Sequence, residues 1–202
     1  MYQVRPPYLL KKVYSNVLWR KDATEKKIYL TFDDGPVPEI TPWVLDILKS
    51  QGIHATFFCV GENVVKYQEI YQRIVRENHS VGNHTYNHVN GWNTSLSHYL
   101  ENIEKCARHV HSNLFRPPYG RIRKKQQKKL SEDYTIVMWD VLSGDYDMHT
   151  SPEKCLRNVV KHIRNGSIVL FHDSIKAKQN IQYALPRFIE EVKQQGFQFD
   201  KL

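Results

Sequence analysis

The feature that most constrains this chain is a regular alternation of short apolar runs with amphipathic stretches. The runs span 28–32, 55–60, 79–82, 114–116, 135–141, 167–171 and 197–199. Two of them, "TFFCV" and "IVLF", have the near-continuous apolar character of strands buried on both faces. Helical stripes fill the intervals. Leu96, Tyr99, Leu100, Ile103 and Ala107 form one, and Leu185, Phe188, Ile189 and Val192 form another that stops before Gly196. Pro186 places the start of that last helix near Leu185, because proline fits best in a first turn. Thr41-Pro42 and Ser151-Pro152 read as N-caps with a first-turn proline, and Gly52, Gly166 and Gly196 sit where helices should stop. Strands joined through helices run parallel, since a parallel pair needs a long crossover. The expected fold is α/β, a distorted or incomplete (β/α) barrel of about seven parallel strands. A doubly wound open sheet is the alternative.

The length of 202 residues fits one domain with a sizeable core, and 41% apolar residues exclude a disordered chain. We expect residues 1–26 to form an N-terminal extension packed on a catalytic domain of residues 27–202. The formal charge is +8, with basic residues densest at Arg121, Arg123, Lys124, Lys125, Lys128 and Lys129. No nucleic-acid motif accompanies them, so they read as a solvated helix face and no specific nucleic-acid partner is expected. Three scattered cysteines, Cys59, Cys106 and Cys155, argue against a disulfide framework. No segment reaches transmembrane length, and "MYQVRPPYLLKKVYSNVLW" lacks the apolar core of a signal peptide. The expected location is therefore the cytoplasm, or the cell wall or exterior if a leader has been trimmed away. A monomer is expected.

Polar residues of catalytic type fall where the apolar runs end. "IYLTFDDGPVP" finishes on Asp33 and Asp34, adjacent carboxylates that strand geometry would point to opposite faces. If both serve one site, the strand must break there, and Gly35-Pro36 supplies the break. Further on come "GNHTYNH" with His84 and His88, "RPPYG" from Arg116, "SGDYD" with Asp145, and His172-Asp173. In parallel α/β folds the carboxyl ends of the strands share one rim, so these segments converge on one mouth. Turn chemistry explains any one of them but hardly all five. His84 and His88 would share a face if a helical turn begins there, and with one aspartate they would leave a metal ion open to water. One carboxylate would then hold the metal while its neighbour takes a proton from the metal-bound water. His172 would serve as the acid, oriented by a carboxylate such as Asp145, and Arg116 would pair with the base.

"TFDDGP", "HTYNH", "RPPYG", "SGDYD" and "IVLFHD", in this order, resemble the five motifs of the polysaccharide deacetylases of the NodB-homology type, carbohydrate esterase family 4. The resemblance runs from about Lys27 to the C-terminus. It implies a distorted (β/α) barrel and metal-dependent removal of N- or O-acetyl groups from an acetylated glycan. By motif position Asp33 would be the base, Asp34, His84 and His88 would bind the metal, and His172 would be the acid. Zinc is the expected ion, with cobalt or another divalent ion as the alternative. Asp145 would tune His172, Arg116 would orient Asp33, the backbone N–H of Tyr119 would help stabilise the oxyanion, and Leu170 and Tyr146 would wall the acetyl-methyl pocket. The fourth motif departs from the family pattern: Leu142 stands where the family has aspartate, and Tyr146 where it has tryptophan. Asp147 competes with Asp145 for the place beside His172, though spacing favours Asp145.

Other readings stay open at this point. Two imidazoles and one carboxylate also describe the facial triad of non-haem iron oxygenases, which the second aspartate and His172 disfavour. A catalytically silent glycan-binding module and an amide hydrolase on a non-sugar substrate are the remaining alternatives.

Overall fold

The computed structural model describes residues 2–21 and 24–202; Met1, Asp22 and Ala23, part of the expected extension, lie outside the described residues. Its elements are α1 (Tyr8–Val13), β1 (Lys27–Asp33), α2 (Thr41–Ser50), β2 (Thr56–Cys59), α3 (Gly61–Lys66), α4 (Gln68–Arg76), β3 (Ser80–Asn83), α5 (Leu96–Ala107), β4 (Leu114–Phe115), α6 (Lys124–Leu130), β5 (Thr135–Ile136), β6 (Val141–Leu142), α7 (Pro152–Val160), β7 (Ile168–His172), α8 (Lys178–Gln194) and β8 (Gln198–Asp200). Seven strands follow the order β5-β4-β3-β2-β1-β7-β6, and β8 pairs with the start of β1. Every pairing between named strands is parallel. The order runs sequentially from β1 to β5, with β7 and β6 returning to the other side of β1, which is the order of an incomplete (β/α) barrel rather than of a doubly wound sheet.

Alternation along β1 sets the layers. Ile28, Leu30 and Phe32 face outward into a core shared with α2, α7 and α8, among them Leu45, Val159 and Phe188. Tyr29 faces inward with Phe58, Val137 and Ile168. A fully buried side chain of this size contributes roughly 1.5–3 kcal/mol. The interior is also plugged by a charge. Arg116 is wholly buried, and its guanidinium lies 4.0 Å from the centre of the Phe58 ring.

The run 135–141 is not one strand, as its apolar character predicts. It pairs with β4 at its start and with β7 at its end, and it leaves the sheet in between. Arg116 and the N-terminal segment occupy that gap. Arg116 donates to the carbonyls of Val137 (3.3 Å) and Met138 (2.9 Å). Leu18 bridges Val137, and Arg20 bridges Ser167 in antiparallel sense. The backbone groups that a continuous strand would have paired are thereby satisfied.

The last helix also differs from expectation. It starts at Lys178, a full two turns before Leu185, with Pro186 inside it. Ile181 and Ala184 extend the buried stripe toward the N-terminus, and this burial outweighs the proline. The bond Pro186 forfeits belongs to the carbonyl of Gln182, an exposed residue where water can replace it. Ser151 caps α7 by accepting from Lys154 N–H, as its Ser-Pro pattern predicts. Thr41 does not cap α2. It lies inside the helix, and its hydroxyl accepts from Val37 N–H and donates to Asp173 at 2.6 Å.

Candidate active site

The carboxyl ends of β1, β3, β4, β6 and β7 bring all five polar segments to one rim. Asp33 is the last residue of β1, and in the parallel register it sits opposite His172 of β7. Asp34 leaves the strand in a left-handed conformation (φ 84°), which turns its side chain toward the mouth despite strand alternation. The turn that follows is held from below. Asp173 accepts from Gly35 N–H at 3.0 Å, and a Cβ on Gly35 would collide with that carboxyl group.

His84 and His88 do come together, their ring centres 5.0 Å apart, but not through a helical turn. Residues 84–88 form an irregular loop in which Thr85 (φ 62°) and His88 (φ 54°) are both left-handed. Asn83 anchors that loop by accepting from Thr85 N–H at 2.9 Å and donating to the Ile103 carbonyl at 3.0 Å. Donor atoms of Asp34, His84 and His88 all lie within 4.8 Å of one another. His84 Nδ1 is 2.7 Å from the carbonyl oxygen of Arg116, so it carries the proton and leaves Nε2 as the free donor. His88 Nδ1 is likewise engaged by Tyr119 Oη at 3.2 Å, while its Nε2 lies 3.1 Å from Asp34.

Electrostatics suit a cation. Burial pulls the His84 pKa down to about 4, against the pull of Asp33, and keeps the ring neutral. Burial pushes Asp34 up, but its hydrogen bond to His88 and the charge of His172 hold it well below the carboxylate range. Two imidazoles and one carboxylate are a fitting donor set for a divalent ion such as zinc.

Asp33 sits beside this trio. Its Oδ1 accepts from Arg116 Nη1 at 2.7 Å, and its Oδ2 lies 3.8 Å from His84 Nε2. The same Arg116 nitrogen donates to Thr31 at 2.9 Å, which fixes the guanidinium against β1. On the other side, Asp145 accepts twice from His172, from the backbone N–H at 2.7 Å and from Nδ1 at 2.8 Å. Burial lowers the His172 pKa, but the charge and hydrogen bond of Asp145 outweigh it, with help from Asp34 and Asp33, and raise it to about 9. Asp147 instead accepts from His149 N–H, so it is Asp145 that touches the candidate acid. Tyr146 presents its ring edge-on to His172, centres 4.9 Å apart, and Leu170 lies beneath in β7, buried against Leu142 of β6. Tyr119 adopts φ 61° in the short turn after β4. Asp173 and Asn83 lie within the quoted segments, but the sequence assigns them no role, because they hold backbone groups and, for Asp173, the Thr41 hydroxyl in place.

The family model described as polysaccharide deacetylase matches residues 20–137, more than half of the chain. The chain belongs to the polysaccharide deacetylase family. Within carbohydrate esterase family 4 it is similar to a peptidoglycan-N-acetylglucosamine deacetylase of Bacillus cereus, 36% identical over 91% of this chain and 89% of that relative. A crystal structure of a peptidoglycan N-acetylglucosamine deacetylase in complex with 4-naphthalen-1-yl-N-oxidanyl-benzamide superposes with a TM-score of 0.88. That match has 32% identity and covers 98% of this chain and 95% of the other. A family 4 pseudoenzyme from Bacillus anthracis also shares the fold, with a TM-score of 0.78 at 28% identity over 91% of this chain and 66% of that one. The deacetylase family is one of hydrolases that act on acetylated sugars. No helix among the described residues is long and apolar enough to cross a membrane.

Proposed function

We propose that this chain removes the acetyl group from N-acetylglucosamine residues of peptidoglycan, using one divalent metal ion, zinc before cobalt. The observation that carries the reading is the convergence of three units on one rim: the trio Asp34, His84 and His88, the pair Asp33–Arg116, and the pair His172–Asp145. A divalent ion on the trio supplies Lewis acidity, which acidifies water and polarises an amide carbonyl. Asp33 accepts the proton of the attacking water on Oδ2, since Arg116 occupies Oδ1 and fixes the carboxylate plane. The Tyr119 backbone N–H adds a donor for the developing oxyanion, where electrostatic stabilisation is typically largest. His172, protonated at neutral pH, gives its proton to the departing nitrogen, so the C–N bond breaks to acetate and a free amine. Asp145 keeps the ring oriented and stabilises its charge. Tyr146 and Leu170 enclose the acetyl methyl.

The test is acetate release from peptidoglycan and from N-acetylglucosamine oligomers, with metal-stripped protein and with zinc or cobalt added back. Release that requires metal supports the proposal. The pseudoenzyme relative keeps a second reading in view, that of a silent glycan-binding module. Tight glycan binding by metal-loaded protein with no acetate under any divalent ion would establish it instead.

A further inference from the structure

The loops that carry His88 and Tyr119 stay together beyond the metal site. The two rings lie 4.6 Å apart, and past them the chain segments are laced to each other. Gln126 Nε2 donates to the Gly91 carbonyl at 2.8 Å, and Trp92 Nε1 donates to the Ile122 carbonyl at 3.4 Å. A Cβ on Gly91 would sit 2.5 Å from the Arg121 carbonyl oxygen, so only glycine permits this approach. The lacing leaves Trp92 half exposed, at 51%, with the Arg121 guanidinium 5.1 Å from the centre of its indole ring. Arg5, Arg73, Arg116 and Arg164 form salt bridges; among the described residues Arg121 and Arg123 form none.

An exposed arginine without an acidic partner is usually just a solvated charge. Arg121 differs in lying over an aromatic face, which reduces the freedom of a guanidinium that is exposed and can pair with a planar anion. It lies two residues beyond Tyr119, whose hydroxyl is 3.2 Å from His88 Nδ1, on the chain segment that follows the turn bordering the metal trio. We propose that Trp92 and Arg121 form a substrate subsite that takes a carboxylate of the bound glycan chain, so that carboxylate-bearing peptidoglycan is preferred to a neutral N-acetylglucosamine oligomer. This rests on the deacetylase reading of the neighbouring site. Peptidoglycan carries carboxylates on its peptides and on any lactyl group left without a peptide, whereas the neutral oligomer offers Arg121 nothing to pair with. Because the interaction is equal in ground and transition states, it acts on KM rather than kcat.

The experiment measures kcat and KM of wild type, Arg121→Ala and Trp92→Ala on peptidoglycan fragments and on N-acetylglucosamine oligomers, with Tm as a check on folding. For Arg121→Ala the expected result is a KM about fivefold higher on the fragments, with kcat and both oligomer constants unchanged. Trp92→Ala should move the same constant in the same direction by less, and added salt should erode the wild-type preference. Equal losses on both substrates, or no loss on either, overturn the subsite. If neither substrate releases acetate, the deacetylase reading fails by itself. Titration of the same two glycans into metal-loaded protein then decides: a binding preference for the fragments that Arg121→Ala abolishes supports the subsite, and equal affinities overturn it.

Discussion

Asp140 and Asp33 are both almost wholly buried and both face arginine, yet their surroundings differ in kind. Asp140 is saturated. Its Oδ1 accepts from Lys11 at 2.8 Å and Arg164 at 2.9 Å, and its Oδ2 accepts from Arg164 and Ser167, each at 3.0 Å. Arg5 adds a longer contact at 3.4 Å. Burial raises the Asp140 pKa, but Arg164 and Lys11 outweigh it and hold the group well below the carboxylate range. Asp33 has one cation on one oxygen, and its other oxygen lies beside the donor trio. A carboxylate with every lone pair engaged ties segments together. One with a lone pair left at an open rim can take a proton. Asp140 ties the N-terminal segment (Arg5, Lys11) to the loop before β7, whereas Asp33 keeps an oxygen free for the proton transfer proposed for it.

The sharpest way to break this comparison is to neutralise each carboxylate. Asp33→Asn should reduce acetate release per folded molecule by about 10²–10⁴-fold, the usual worth of a general base. It should also lower the thermal midpoint, because the wholly buried Arg116 loses its counter-charge. Asp140→Ala should touch stability alone. It leaves cations facing an empty site and should cost about 3 kcal/mol of stability by denaturant titration, with activity per folded molecule retained. The cost stays at the low end of the roughly 3–5 kcal/mol expected for a broken buried pair because Arg5, Lys11 and Arg164 are partly exposed and can rehydrate. A stable, active Asp140→Ala would dissolve the distinction.

A weaker effect concerns pH. His79 accepts from Ala55 N–H through Nδ1, and burial lowers its pKa from 6.5 to about 4. The unfolded chain therefore binds this proton first, so the contribution is complete above pH 6.5 and is lost as pH falls toward 4. Denaturant stability measured at neutral pH and near pH 5 should drop less in His79→Gln than in wild type; equal drops would count against a neutral buried ring. Taking the difference between the two proteins removes the parts due to His84 and His172. The smallest effect belongs to Asp147. Asp147→Asn should leave turnover within about threefold of wild type, while Asp145→Asn should cost more, because only Asp145 orients the acid. Equal losses would mean that both carboxylates serve His172.

Much of this was legible in the residue pattern, because it depends on local chemistry. Buried parallel strands announce themselves as apolar runs, the Ser151-Pro152 cap is a contact within one turn, and the site segments lie at strand ends by topology. What escaped depends on partners distant in sequence. Whether 135–141 is one strand or two is decided by Arg116 and Leu18 filling the gap, and neither is visible from the run itself. The early start of α8 is set by burial of Ile181 and Ala184 against the sheet, which outweighs the local rule about Pro186. The pairing of His84 with His88 was anticipated for the wrong geometric reason. Spacing of four fits a helix, but two left-handed residues in a loop achieve the same approach. Asp140 had no motif at all, because its cations come from the N-terminal segment and from the loop before β7.

The central claim is that two adjacent aspartates divide the labour, Asp34 holding the metal and Asp33 moving the proton. Its most direct test is metal content after dialysis, measured beside turnover, for Asp33→Asn and Asp34→Asn. The account predicts that Asp33→Asn keeps the metal stoichiometry of wild type yet is silent, whereas Asp34→Asn loses the metal together with activity. Asp33→Asn emptied of metal, or Asp34→Asn still fully loaded, would contradict it.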